Sequence, residues 1–536
     1  MFPGLNYNSL DLGIVAKNGN KKLARMWWQW CPKPFYCGEI PVSREGKDPS
    51  PAVGHAISGG FWTVVERIVA QASQLVIFIA AARLLGPADF GAFALVSAAA
   101  ILLLRVAEFG WAQYVMAWPG DNTVPRQVLM IAIFAGLGLA LVGGGIGLTL
   151  PHFGVKQIFS HLVLLFSLWV FLATISSVQK GIMIWQSKLK ASAASETIGE
   201  LVGLTVALLT LFSGFGVLSL AFGRLAFQSV HIIISFSSTR LSPIFGLKGS
   251  ALREMFTFCG QLFVWRMVLN LRLYLATFLI GGILGPAAVG YFRAAERLVG
   301  AVAEVISTPT QVLSWRLFRD SRDAHVGKLD GFQRCANIFF KVLIAVSAPV
   351  FIWIAITGPE LVSIILGPEW LPVIPVIAVL ALARAVAMPV VAAEAILSLA
   401  GHVRRLIPLS FLHLGIGVLL NFFGARLGFY AVAWSQVLIS LVVLTTTNAL
   451  LNKYGAIHAR EIVRGALKLT IPILLGSITL LLARQVANTL HMSVLANIVT
   501  STLISAVIYV SALTATEPVW RDFVLVQIWK KKRFKR

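Results

Sequence analysis

The 536-residue chain is 57% hydrophobic and only 12% charged, and it carries a net charge of +23. A soluble domain has about twice that charged fraction, so this chain lacks the polar residues to coat a water-facing surface of its size. Most of it must be solvated by lipid. The basic excess does not point to nucleic acid, because its residues lie in short segments between apolar runs, the distribution that sets membrane topology.

Taken in chain order, residues 1–55 read as a polar, flexible cytoplasmic arm without the apolar core of a cleavable signal peptide. Its Met26-Trp27-Trp28-Gln29-Trp30 patch suits a membrane interface. A helix needs ~20 apolar residues to cross a bilayer. Such runs lie near 57–83, 89–117, 127–150, 157–178, 193–212 and 217–238, then 256–281, 287–314, 333–356, 371–399, 406–424 and 429–449, and finally 465–483 and 493–515. About fourteen transmembrane helices are therefore expected in an all-α membrane protein, followed by a basic tail at 516–536. Leu85-Gly86-Pro87 and Leu284-Gly285-Pro286 place Gly just past one helix and Pro in the first turn of the next. Cys31, Cys37, Cys259 and Cys335 show no metal-ligand spacing and read as reduced thiols.

Loop charges test the span count. With the N-terminus inside, the inside segments hold 32 Lys and Arg, the outside loops hold four (Arg83, Lys156, Arg426 and Arg484), and nine lie within spans. That bias places both termini in the cytoplasm and the chain in the cytoplasmic (inner) membrane. No outside loop is long enough for a catalytic module, and no P-loop occurs. The chain is thus expected to be neither an enzyme nor a cofactor or metal protein.

The span order also repeats. Leu85-Gly86-Pro87-Ala88-Asp89-Phe90-Gly91 matches Leu284-Gly285-Pro286-Ala287-Ala288-Val289-Gly290 at an offset of 199, which also carries Arg67 onto Arg266. Further on, Gly216–Ala221 faces Gly428–Ala433 at offset 212. The shift is six spans, an even number, so the two copies enter the membrane in the same direction. An N-lobe over 57–240 and a C-lobe over 255–450 follow, with two extra helices over 463–515.

The stretch from Gly60-Phe61-Trp62 through Gln74 to Ala82-Arg83-Leu84-Leu85-Gly86-Pro87-Ala88-Asp89-Phe90-Gly91, with its echo at Ile280–Arg297, resembles the polysaccharide-transporter branch of the MOP flippase superfamily. That branch includes Wzx-like O-antigen and exopolysaccharide repeat-unit flippases, and the superfamily also holds lipid II flippases and MATE drug exporters. The resemblance covers about residues 57–450. It implies two six-helix lobes around a cavity that opens alternately to each side. It also implies a lipid-linked oligosaccharide as substrate, destined for lipopolysaccharide or another surface polysaccharide. A polysaccharide polymerase and chain-length machinery are the partners it implies. A MATE-like ion-coupled exporter is the alternative on the same fold.

Charges inside spans are costly and mark sites. Arg67 and Arg266 are repeat partners about ten residues into the first helix of each lobe, ~15 Å deep at 1.5 Å per residue. They are expected either to share a pyrophosphate, whose oxygens guanidinium groups bind bidentately, or to hold the bundle through ion pairs. Arg293, Glu296 and Arg297 fall on one helical face by their i, i+3, i+4 spacing. Arg105 and Glu108 form a similar couple, and the 199 offset sets Arg105 against Glu304 as a possible inter-lobe latch. Arg272 is expected along the exit path. The substrate-binding candidates are therefore Arg67, Arg105, Arg266, Arg272, Arg293 and Arg297. Arg224, Lys341 and Arg384 are left out of the site. Glu66, Glu108 and Glu296 are the carboxylates that would carry H⁺ or Na⁺ coupling, unless they only neutralise neighbouring arginines.

Overall fold

The computed structural model describes residues 51–517 apart from Pro119, Leu247, Lys248, 325–328 and Ala456. The 1–50 segment, including the tryptophan patch, Cys31 and Cys37, and the basic tail from residue 518 lie outside the described residues. The first half comprises α1 (Pro51–Leu84), α2 (Pro87–Glu108), a short α3 (Trp111–Ala117), α4 (Thr123–Thr149), α5 (Gln157–Trp185), α6 (Leu189–Phe212) and α7 (Leu218–Thr239). The second half comprises α8 (Gly249–Leu284), α9 (Pro286–Ala324), α10 (Leu329–Ile365), α11 (Ile374–Ala387) with its continuation α12 (Ala393–Leu399), α13 (Leu406–Leu427) and α14 (Phe429–Tyr454). A short α15 (Ala459–Lys468) leads to α16 (Thr470–Thr489) and α17 (Val494–Thr516).

Helices are the form lipid demands, because each closes its own backbone hydrogen bonds. Twelve of the described helices are long and apolar enough to cross a membrane. The spans expected at 256–281 and 287–314 are not among those twelve. They correspond to α8 and α9, 36 and 39 residues long, of which only Asn270–Leu284 forms a shorter apolar stretch. In α9 the reason is chemical, since Arg293, Glu296, Arg297 and Glu304 fall within one 12-residue stretch; in α8 several side chains before Asn270 lie outside the described residues. Elsewhere the apolar residues face outward, as with Leu141 at 68% and Val507 at 65% exposure, an arrangement only lipid tolerates.

The repeat is visible in the packing. In the first half α5 packs on α2, α4 and α7, and α6 packs on α7; in the second half α11 packs on α9, α10 and α14, and α13 packs on α14. Small residues let the partners approach. Gly199, Gly203 and Ala207 recur every four residues along α6, and a Cβ on Gly203 would stand 2.9 Å from the Gly223 carbonyl oxygen of α7.

The halves meet where α2 crosses α9. Pro87 and Pro286 open these helices, a position where a missing N–H costs nothing. A Cβ on Gly91 would stand 1.8 Å from the Pro286 carbonyl oxygen, and one on Gly290 would stand 2.0 Å from that of Pro87. The two repeat motifs therefore seat against each other reciprocally, and only glycine fits at either position.

Candidate substrate cavity

Between the halves lies a cavity of about 460 Å³. Its walls come from α1, α2, α6 and α7 on one side and α8, α9 and α11 on the other. Gln74, Phe78, Phe93 and Phe227 supply amide and aromatic surface, and four arginines supply charge: Arg224, Arg293, Arg297 and Arg384. Three carboxylates, Glu200, Glu296 and Glu304, share the walls.

The Arg83 end of the cavity is shut. Trp370, 1% exposed, inserts from the turn after α10 and its indole N–H donates to the Ala82 carbonyl at 2.8 Å. Its ring stands edge-on to Phe90 of α2 at 5.8 Å and to Tyr291 of α9 at 5.9 Å. Arg83 donates to the Ile364 and Ile365 carbonyls, which end α10 without helical partners. Together with the Gly91/Gly290 crossing, these contacts tie the two halves at one end.

The charged groups sort into three clusters. On the α9 wall, Arg293 Nη1 donates to Glu296 Oε2 at 2.6 Å and its guanidinium lies 5.1 Å from the Tyr274 ring centre. Arg384 reaches Glu296 Oε1 at 3.7 Å. Arg384 occupies the last turn of α11, where Met388-Pro389 breaks the span into a 3₁₀ turn before α12. A second cluster runs across the cavity: Arg297 donates to Gln74 Oε1 at 3.2 Å, and Gln74 donates to Glu200 Oε1 at 3.3 Å. The third sits within the first half. Lys180 Nζ donates to Glu196 at 2.7 Å and lies 3.6 Å from Glu66, while His231 Nε2 is 3.5 Å from Glu196 and its Nδ1 meets Ser176 at 2.5 Å.

These placements divide the sequence candidates. Arg293 and Arg297 line the cavity as their spacing implied. Arg272 lines a side pocket beside it. Arg67 is exposed and Arg105 half-buried, and neither is among the cavity-lining residues. Arg105 is held by Glu108 on its own helix at 2.5 Å rather than facing Glu304, so the two do not form the inter-lobe latch suggested by the offset. Arg266 belongs to α8, but its side chain lies outside the described residues. Arg224, Arg384 and Glu200 line the cavity, each as the one charged residue its helix brings there. Cys259 and Cys335 are free thiols.

A second, apolar groove of about 610 Å³ lies between α10, α16 and α17. Pro349, Ile473 and Leu480 are among its lining residues, and Tyr509 O–H is tied down to the Ala345 carbonyl at 2.6 Å.

Residues 80–375 match the model of a family described as polysaccharide biosynthesis protein, more than half of the chain. The chain belongs to that family. Its member here also has the fold of MOP superfamily transporters. The lipid II flippase MurJ in an inward closed conformation aligns with a TM-score of 0.63 over 87% of this chain and 100% of that one, at 12% identity. A multidrug resistance MATE transporter in an inward-facing conformation aligns with a TM-score of 0.57 over 72% of this chain and 95% of that one, at 14% identity. No curated protein matches in sequence. This member of the family is thus a multi-pass membrane protein on a transporter fold.

Proposed function

We propose that the chain is a flippase that carries a polyprenyl-pyrophosphate-linked oligosaccharide repeat unit across the cytoplasmic membrane by alternating access, with both termini in the cytoplasm. The observation that carries this reading is the inter-lobe cavity, closed at one end and walled by four arginines against three carboxylates. A dense anion such as pyrophosphate is the natural ligand of guanidinium groups, which bind its oxygens in pairs. The aromatic and amide surface around them suits sugar faces and hydroxyls, and the apolar groove at α16 and α17 suits a prenyl chain. The site assignment shifts accordingly: Arg293, Arg297, Arg224 and Arg384 take the anionic headgroup, and Arg67 and Arg105 stand outside that set.

Ion coupling is best carried by Glu66. Its partner Lys180 is shared with Glu196, so two carboxylates compete for one ammonium, whereas Glu108 and Glu296 are engaged by arginines. The test of function is surface polysaccharide in cells whose own chain is replaced by an R293Q/R384Q double variant. We expect surface polysaccharide to be lost and lipid-linked repeat units to accumulate in the inner leaflet, with membrane levels of the protein unchanged. Wild-type polysaccharide at equal protein level would overturn the reading. A MATE-like exporter of cationic drugs calls for a cavity with net negative charge, and resistance conferred on a drug-sensitive host would restore that alternative.

A further inference from the structure

Beside the main cavity, a smaller pocket of about 150 Å³ enters the second half between α8, α9, α11, α13 and α14. Leu273, Glu296 and Arg384 line both spaces, so the two adjoin at that edge. The pocket is walled by Arg272, Arg384, His413, Asn421, Gln436 and Ser440 among apolar residues. Its Asn421, His413 and Glu296 acceptors are already engaged. Asn421 Oδ1 accepts from Gln436 Nε2 at 2.6 Å and from Ser435 Oγ at 3.3 Å. His413 Nε2 meets Thr446 Oγ1 at 2.8 Å. Glu296, at the mouth, places one oxygen on Arg293 and the other toward Arg384.

Arg272 is left over. Among the described residues it makes no ion pair or hydrogen bond, and the charged group beside it is another arginine, Arg384. A guanidinium at membrane depth is costly unless something opposite in charge meets it. The protein supplies three arginines here (Arg272, Arg293 and Arg384) against the single carboxylate of Glu296.

We propose that this side pocket is an anion subsite, built around Arg272, for a carboxylate-sized ligand. It rests on the flippase reading for one of its two possible occupants: the carboxylate of an acidic sugar in the glycan lying in the neighbouring cavity. The other occupant of the same chemistry is a free monovalent anion. The pocket has room for several waters, which accommodates a carboxylate and the carbon bearing it but not a pyrophosphate with its two substituents. Arg272 and Arg384 clamp the oxygens; Glu296 competes for Arg384, while Arg272 is engaged by no acidic group of the protein among the described residues. The consequence is selectivity: acidic repeat units gain a contact that neutral ones lack.

The experiment uses the purified full-length protein in nanodiscs, with thermal unfolding followed by tryptophan fluorescence and HEPES as the balancing anion. Sodium glucuronate raises the wild-type midpoint saturably and glucose does not. R272Q abolishes the rise, while K156Q, in an exposed loop, retains it. R272K weakens half-saturation about tenfold, because an ammonium lacks the paired donors. Gly417 lines the pocket and a Cβ there meets nothing within 4 Å, so G417L fills the space with every charge kept and also abolishes the rise. This variant decides the question if R272Q does not fold. An equal rise with sodium chloride that glucuronate cannot add to assigns the pocket to a free anion; a glucuronate rise undiminished by chloride assigns it to a sugar carboxylate. No saturable rise with either salt, or one that survives both R272Q and G417L, overturns the subsite. Binding is read without transport, so loss of this result leaves the flippase reading standing, and wild-type export by R293Q/R384Q leaves the subsite standing.

Discussion

In the first half, Lys180 stands between Glu66 and Glu196, and His231 closes the group from behind. In the second half, Arg272, Arg293 and Arg384 gather around Glu296 alone. Both groups occupy the same helical plan, with α5 and α11 as the packed centres of their halves. The repeat therefore dictates where helices run and which small residues they share, while the charge on each half is free to diverge. One half neutralises itself internally. The other keeps positive charge that its one carboxylate does not match.

The strongest challenge to this comparison is at the contact the halves share. Gly91→Val and Gly290→Val each force a side chain against a proline carbonyl that cannot yield, so each is expected to destabilise by about 3 kcal/mol, the upper range of overpacking. The two effects are expected to match within experimental error; a tolerated substitution at one position would break the equivalence. Denaturant unfolding in detergent checks this.

Next come the clusters themselves. Lys180→Met strands two carboxylates and is expected to cost about 2 kcal/mol, below the 3–5 of a fully buried pair because Lys180 is partly solvated. Arg272→Gln strands nothing and is expected to be neutral or stabilising by the same measurement in the absence of anion. Equal costs would erase the distinction between halves. Glu296→Gln releases Arg293 and Arg384, and the glucuronate half-saturation is expected to tighten about fivefold, in the range of one charge-assisted contact of ~1 kcal/mol. The smallest effect is at the closed end. Trp370→Phe keeps the ring contacts and loses one hydrogen bond of about 1 kcal/mol. Opening toward the Arg83 side is expected to rise about fivefold, read as the rate at which a thiol reagent reaches a cysteine placed at Ser97.

The sequence made the helices legible because lipid leaves the backbone so little choice. Even so, α9 shows the limit of hydropathy: the helix that brings the most charged side chains to the cavity is the least apolar of the long helices, since its charged face looks inward. The 199 offset proved informative down to single atoms at Gly91 and Gly290. On the site, the i, i+3, i+4 pattern found Arg293, Glu296 and Arg297 because they share one helix face. Arg224 and Arg384 were illegible because each is the one charged residue of its helix, and Glu200 because its i−4 neighbour Glu196 turns to Lys180 instead; only tertiary packing assembles them. The pairing of Arg67 with Arg266 rested on the 199 offset and on depth along the axis; Arg67 is exposed, and the Arg266 side chain lies outside the described residues. Trp370 gave no signal, since a tryptophan in a short turn reads as an interfacial anchor until the turn is seen between two helices.

The reciprocal seat of α2 and α9 has one more consequence. Each helix presents the same surface, a proline carbonyl followed one turn later by a glycine, so the contact is self-complementary in the way a two-fold dimer interface is. A half-length chain bearing a single Leu-Gly-Pro-x-x-x-Gly motif would hold everything needed to close against a second copy of itself. Joining two such halves in one polypeptide removes that requirement for identity. The seam can then stay symmetric while Trp370, Arg272 and Lys180 specialise on either side of it.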